Sequence, residues 1–203
     1  MSKPPRSRYS ILVAIVTLIL AAAGSVLAQS AKNTNLANVK IKNFGQMDER
    51  FFRGGQPREE DYKQLQALGI STVIDLTDDP KAYEKTTVES LGMHYVNIPM
   101  SDTKYPESAQ IDQFLKLTSD PKTGKFFVHC AGGRHRTGVM GAVYRFNNYH
   151  WNYDQVYNEM KKYDFYTRWG HGNMKKFVED YAASFPQNNA AAAVAAQSGA
   201  KQK

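Results

Sequence analysis

A single cysteine, Cys130, stands in the stretch KFFVHCAGGRHRTGVMGAVYRF (residues 125–146), between an apolar run and a loop rich in glycine and basic residues. Gly132 and Gly133 permit a tight turn in which successive backbone N–H groups converge, a concave donor set that suits an anion. A helix starting at about Thr137 would aim its unpaired N–H groups and partial positive charge at the same spot. Cysteines beside helix N-termini and guanidiniums have pKa values of roughly 3.5 to 7.5 in place of about 8.5. Cys130 is therefore expected to be an anionic nucleophile at neutral pH. Arg136 follows six positions later, where a curled loop can bring its planar guanidinium back to grip two phosphate oxygens. Ala131, Gly132, Gly133, Arg134, His135 and Arg136 thus form the expected phosphate-binding segment. Within it, Arg134 and His135 either add positive character for multiply phosphorylated substrates or are solvated loop residues.

Such a loop needs a strand that ends at the cysteine and a helix that begins after the arginine. EEDYKQLQALGISTVIDLT (59–77) and YEKTTVESLGMHYVNIPM (83–100) share one order: a polar helical run, Leu-Gly, then a β-rich segment. Gly69 and Gly92 stand where a helix C-cap favours a left-handed residue, and STVIDL and MHYVNI follow as strands. Ile111, Phe114 and Leu115 recur at helical spacing before KFFVHC, which reads as a short buried strand. Helices alternating with strands imply an α/β fold with a central, mainly parallel sheet flanked by helices. That puts Cys130 at the C-terminal edge of the sheet, where open α/β sheets bind their ligands. After the loop, Val139, Val143 and Phe146 continue a helix. Tyr153, Val156, Tyr157 and Met160, with Asn152 as N-cap, and then Met174, Phe177, Val178 and Tyr181 read as the core faces of two more.

The chain has 203 residues, 42% of them hydrophobic, enough for one domain with tails. Residues 1–28 read as a signal peptide: Lys3, Arg6 and Arg8, an apolar run from 11 to 28, then a small-residue site at Val26 and Ala28. Export to the periplasm or secretion is the expectation. The alternative is a membrane anchor formed by residues 11–28 if they are not cleaved, since that run is close to the minimum for a bilayer span. Residues 29–40 are expected to be a linker, 41–185 the folded domain and 186–203 a disordered low-complexity tail. The net charge of +7 owes three charges to the first ten residues, and the other basic groups are scattered. That pattern speaks for anionic ligands and against nucleic acid. With one cysteine no internal disulfide can form, so the thiol is either packed silently or does chemistry.

The segment HCAGGRHRTG (129–138) resembles the His-Cys-x5-Arg-Thr/Ser-Gly signature of the cysteine-dependent tyrosine and dual-specificity phosphatases. Together with FFRGGQP (51–57), GRHRTG is most similar to bacterial relatives of the plant and fungal atypical dual-specificity phosphatases, some of which act on inositol pyrophosphates. The resemblance implies a phosphatase fold of the dual-specificity type over residues 41–185. It implies hydrolysis through a phosphocysteine on Cys130, with Arg136 and the loop amides holding the phosphoryl oxygens, and no metal or cofactor. By the same resemblance Thr137 helps expel the thiolate, a role compatible with an ordinary N-cap, and His129 organises the loop. A leaving alkoxide or phenoxide needs a proton, and the family's aspartate lies on a loop after an earlier strand. Asp102, 28 residues before Cys130 in IPMSDTKYPES, fits that place, with Asp75, Asp78 and Asp79 as competitors. The implied partner is a phosphorylated protein or a small phosphorylated molecule such as an inositol phosphate, and the chain is expected to be a monomer. Arg53 either faces the pocket or belongs to a turn built around Gly54, Gly55 and Pro57 with no catalytic role, and His94, His150 and His171 read as structural or surface groups. A rhodanese-like sulfurtransferase and a catalytically inactive phosphate-binding module are the other readings. Thr137-Gly138 after Arg136 favours the phosphatase.

Overall fold

A computed structural model of the protein describes residues 36–185. The expected leader (1–28), most of the linker and the low-complexity tail (186–203) lie outside the described residues. The chain divides at Asn38. Of the first unit the described part is a 3-10 turn, Leu36–Asn38, and everything below concerns the second unit.

Five strands form one sheet in the order β1-β2-β5-β3-β4: β1 Gly45–Gln46, β2 Phe51–Gly55, β3 Ile70–Thr77, β4 His94–Met100 and β5 Lys125–Cys130. The last four are mutually parallel, and β1 pairs antiparallel with β2 at the edge. Alternation of side chains across β2 and β5 builds a core on each face. Phe51, Phe126 and Val128 join Ile74 and the residues of four helices: α3 (Ser108–Ser119), α4 (Arg136–Tyr149), α5 (Tyr153–Lys162) and α6 (Gly172–Ala183). Phe52, Phe127 and Val73 face Tyr62 and Leu65 of α1 (Tyr62–Ala67) and Val88 of α2 (Glu84–Ser90). Sheet and helices thus match the α/β arrangement read from the sequence. Gly69 and Gly92 follow α1 and α2 with φ of +79° and +76°, the left-handed geometry that ends a helix cheaply only at glycine. Asn152 caps α5, its side chain accepting from Gln155 N at 3.0 Å.

One strand differs from expectation. Gly54 and Gly55, read as the centre of a turn with Pro57, instead end β2, with Gly54 opposite His129 and Gly55 opposite Cys130. Its glycines have a packing reason. A Cβ on Gly55 would stand 3.2 Å from the carbonyl oxygen of Ala131, so the end of β2 is left bare where the loop after β5 lies against it.

The same contact governs Gly133, whose φ is +68° and whose added Cβ would lie 2.5 Å from the carbonyl carbon of Gly54. A Gly133→Ala protein combines a left-handed non-glycine residue with a backbone clash that no rotamer relieves. It is expected to lose at least about 1–3 kcal/mol of stability. The measurement is the urea unfolding midpoint at unchanged slope, and an unshifted midpoint would contradict the packing described here.

Candidate active site

β5 ends at Cys130 and α4 begins at Arg136, one residue before the helix start expected from the sequence. The five residues between curl into a loop whose carbonyl oxygens all have partners. Gln56 N donates to Ala131 O at 3.2 Å, Asn43 Nδ2 to Gly132 O at 2.9 Å and Arg53 Nη2 to Gly133 O at 2.7 Å. The carbonyls of Arg134 and His135 accept from Gly138 N at 3.1 Å and Val139 N at 2.8 Å in the first turn of α4. With the carbonyls engaged from behind, the peptide units present their N–H edges to the inside. There they border a cavity of ≈ 190 Å³ lined by Cys130, the loop, Asp102, Tyr166 and His171.

Cys130 is buried, and burial by itself pushes its thiol up; the Thr137 hydroxyl and amide, the Arg136 charge and the Gly133 amide outweigh it and hold the thiol below its ordinary value. Thr137 Oγ1 is buried with no oxygen or nitrogen partner, so the sulfur beside it is its available acceptor. A thiolate accepts that hydrogen bond far better than a thiol does. Arg136 is buried too; its Nη1 donates to Asp78 Oδ1 at 2.7 Å and to Met100 O at 3.0 Å. Two contacts on one nitrogen fix the plane of the guanidinium and leave its Nε/Nη2 edge for an anion. Asp78, one of the competitors for the acid, is thereby tied to Arg136.

Asp102 is exposed at the rim of the cavity, and its loop is fastened to α6 and the turn before it. His171 Nδ1 donates to Asp102 O at 2.8 Å, Asn173 Nδ2 to Thr103 O at 3.0 Å and the Tyr105 hydroxyl to Asp180 Oδ2 at 3.1 Å. Asp75, another competitor, is fully buried in β3 and accepts from the Thr77 amide and hydroxyl and from Tyr95. Asp79 is an exposed residue 3.8 Å from Lys81.

Beneath the loop lies a buried charged cluster. His129 Nε2 is 2.7 Å from Glu84 Oε1 and Nδ1 is 3.9 Å from Asp75 Oδ1, all three side chains being inaccessible. Burial works against a charge on His129, but Glu84 and then Asp75 raise its pKa overall, while burial of Glu84 is outweighed by His129, Tyr62 and Gln56, which lower its pKa. The three offer one ligand atom each within 4.8 Å of one another. Their charges already answer each other, and the Tyr62 hydroxyl and Gln56 amide complete Glu84, so the geometry is that of an ion-pair network supporting the residue before Cys130.

Three features were not legible in the motif. Arg53 is fully buried under the loop, with its guanidinium 3.9 Å from the centre of the Tyr163 ring. Burial pulls it down to about 10, so it still carries its charge at neutral pH, near Cys130. His171 lines the cavity with its ring stacked on that of His135 at 3.5 Å. His135 donates from Nε2 to Tyr166 O at 3.0 Å; burial first, then His171, push it down to about 4. It is neutral at physiological pH, and the positive character expected of it falls to Arg134 alone. Tyr166 forms the cavity wall and gave no signal in the sequence beyond its place in an aromatic segment.

Comparison with known proteins joins this site to a set of phosphatases. A family model described as "DSP-PTPase phosphatase fused to NAD+ Kinase" matches residues 28–179. The chain is 27% identical over 126 residues to the protein OCA1 of Mycosarcoma maydis, covering 60% of this chain and 79% of that one. It is 26% identical over 129 residues to the inositol diphosphatase DSP4 of Arabidopsis thaliana, covering 60% and 63%. Among solved structures, TpbA of P. aeruginosa superposes with a TM-score of 0.59 at 19% identity, covering 68% of this chain and 84% of that one. The core catalytic domain of the PP-IP phosphatase SIW14 from S. cerevisiae gives 0.58 at 22% identity, covering 68% and 85%.

Proposed function

This chain belongs to the family of DSP-PTPase phosphatases fused to NAD+ kinase, and from that premise we propose which residues carry its cysteine-dependent phosphomonoester hydrolysis and on what it acts. The Cys130 thiolate attacks phosphorus in line, forming the S–P bond as the ester P–O bond breaks. The loop amides of residues 131–136 and the free edge of Arg136 hold the three equatorial oxygens. Asp102, in its acid form, gives its proton to the departing oxygen. Its carboxylate then takes a proton from the water that attacks phosphocysteine, the S–P bond breaks, and the sulfur leaves as a thiolate stabilised by the Thr137 hydroxyl. The observation that carries this reading is the meeting of the only cysteine and Arg136 in one cavity lined by the loop between them, with the Gly133 and Thr137 amides directed at the sulfur.

Phosphorylated proteins are the first substrate class proposed, of the tyrosine or dual-specificity type, with inositol polyphosphates or pyrophosphates as the alternative. Relatives of both kinds support the pair, the inositol diphosphatase DSP4 and the dual specificity protein phosphatase TpbA, which is 23% identical over 121 residues. Phosphotyrosine and phosphothreonine peptides assayed beside inositol phosphates decide between the classes. Turnover of the peptides at the higher kcat/KM is expected, together with inhibition by orthovanadate; peptides left intact while inositol phosphates are hydrolysed would reverse the order. We also propose that residues 1–28 direct export, to the periplasm or beyond. Mass spectrometry of the protein from cells is expected to find an N-terminus near Gln29, and an intact Met1 would contradict cleavage.

A further inference from the structure

The catalytic cavity, at ≈ 190 Å³, is smaller than the roughly 300–1,000 Å³ of sites that enclose whole small ligands. It holds a phosphoryl group and the first atoms beyond it, so the rest of a substrate must lie on the neighbouring surface. That surface is an open cleft of ≈ 510 Å³ which shares Arg134 and Tyr166 with the cavity and is completed by Lys161, Asp164, Arg168 and Trp169. Its charges are unbalanced, three cations against one carboxylate, and the one close ion pair, Arg134 with Asp164, is a loose 3.6 Å. Arg134 Nε is buried without a partner.

The segment from Asp164 to Gly170 has three residues in the left-handed region: Asp164 (φ 59°), Trp169 (φ 55°) and Gly170 (φ 88°). A bulky residue there is strained, and core packing does not compensate, because Trp169 is 76% exposed. Its ring meets Tyr166 edge-on at 5.5 Å, and the Arg168 guanidinium sits 5.0 Å from the Trp169 ring centre and 5.5 Å from that of Tyr166. The strained backbone therefore holds out an aromatic face beside the Arg168 guanidinium, in the cleft that adjoins the cavity of Cys130. Strain kept at a cost to folding, next to a reactive centre, is the pattern of a binding element.

We propose that this cleft is a second substrate subsite that takes a flat ring linked to an additional phosphate, the ring lying on Trp169 and the phosphate between Lys161 and Arg168. The proposal rests on the phosphatase reading above and adds to its substrates small molecules phosphorylated at two places and carrying a planar ring. Three probes separate its parts: para-nitrophenyl phosphate, with one phosphate; fructose 1,6-bisphosphate, with two and no planar ring; and adenosine 3′,5′-bisphosphate, with two and a planar base. In Trp169→Ala, kcat/KM for the adenosine compound is expected to fall about tenfold through KM, the scale of one lost base–aromatic stack. The other two probes are expected to hold within about twofold in that variant, and Trp169→Phe is expected to restore most of the loss. Lys161→Ala combined with Arg168→Gln is expected to weaken both bisphosphates about tenfold and to leave para-nitrophenyl phosphate unchanged.

Equal losses on all three probes, or none, would overturn the subsite, as would hydrolysis of para-nitrophenyl phosphate by the wild-type protein with both bisphosphates left intact. Losses confined to a phosphotyrosine peptide would replace it with a docking surface for protein substrates. Failure of the wild-type protein to hydrolyse any probe would instead count against the phosphatase reading on which the subsite rests.

Discussion

Replacing Cys130 with serine is expected to abolish hydrolysis while leaving phosphate binding intact. The loop amides, Thr137 and Arg136 stabilise an anion at the position of Sγ, and a thiol responds by ionising. A serine hydroxyl, far less acidic, stays protonated in the same surroundings and is no nucleophile there. Loss of the nucleophile in an enzyme that works through a covalent intermediate costs on the order of 10⁴- to 10⁶-fold in kcat. The cavity itself rests on contacts to loop carbonyls made by Gln56, Asn43 and Arg53, none of which involves the sulfur. Inorganic phosphate should therefore still bind the Cys130→Ser protein, as measured by calorimetry. Residual turnover above about 10⁻³ of wild type would reject the cysteine as nucleophile.

The second large effect is expected at Asp102, and it should depend on the leaving group. Asp102→Asn keeps the side-chain shape and the backbone carbonyl that accepts from His171, so the loop remains fastened, but an amide cannot deliver a proton. General acid catalysis contributes about 10²- to 10⁴-fold where the leaving oxygen is strongly basic. Phosphoserine-type alkyl esters should lose that much in kcat, whereas para-nitrophenyl phosphate, whose leaving group departs as a stable anion, should lose only a few-fold. Equal losses on the two esters would point to a structural role for Asp102, and no loss on the alkyl ester would move the acid elsewhere.

Much of the fold was legible because its cues are local. Gly69 and Gly92 end helices through conformations that other residues resist, and the apolar run before Cys130 is short, β-branched or aromatic, and bounded by a glycine loop. The Cys130–Arg136 pair was legible because both ends of the loop lie within seven residues of sequence. What escaped was assembled at long range. Arg53 and Gly133 are 80 residues apart in the chain and meet in one hydrogen bond, and the pairing of FFRGG with β5 overrides the strand-weakening character of two glycines. The His135–His171 stack and the anchoring of the Asp102 loop likewise depend on α6 packing against α4 and α5. His171 lacked a metal-ligand spacing and so looked inert. Its role comes from donating to a backbone carbonyl, for which sequence carries no mark. The neutral state of His135 follows from burial beside a second imidazole, again a property of packing.

The sign of the Cys130 shift has a consequence for stability as well as for rate. Its folded pKa lies below the ordinary thiol value, so its contribution to stability grows as pH rises through the folded pKa, is complete above the unfolded value of about 8.5, and is lost as pH falls. Because Cys130 is the only cysteine in the chain, its ionisation can be followed without interference. Alkylation of the wild-type protein by iodoacetamide as a function of pH reports the thiolate fraction directly, with phosphate added as a protecting ligand. A midpoint below about 8.5 and slowing of the reaction by phosphate are expected. A midpoint at or above that of an ordinary thiol, with no protection by phosphate, would contradict the ionised sulfur in an anion cradle on which the assigned chemistry depends.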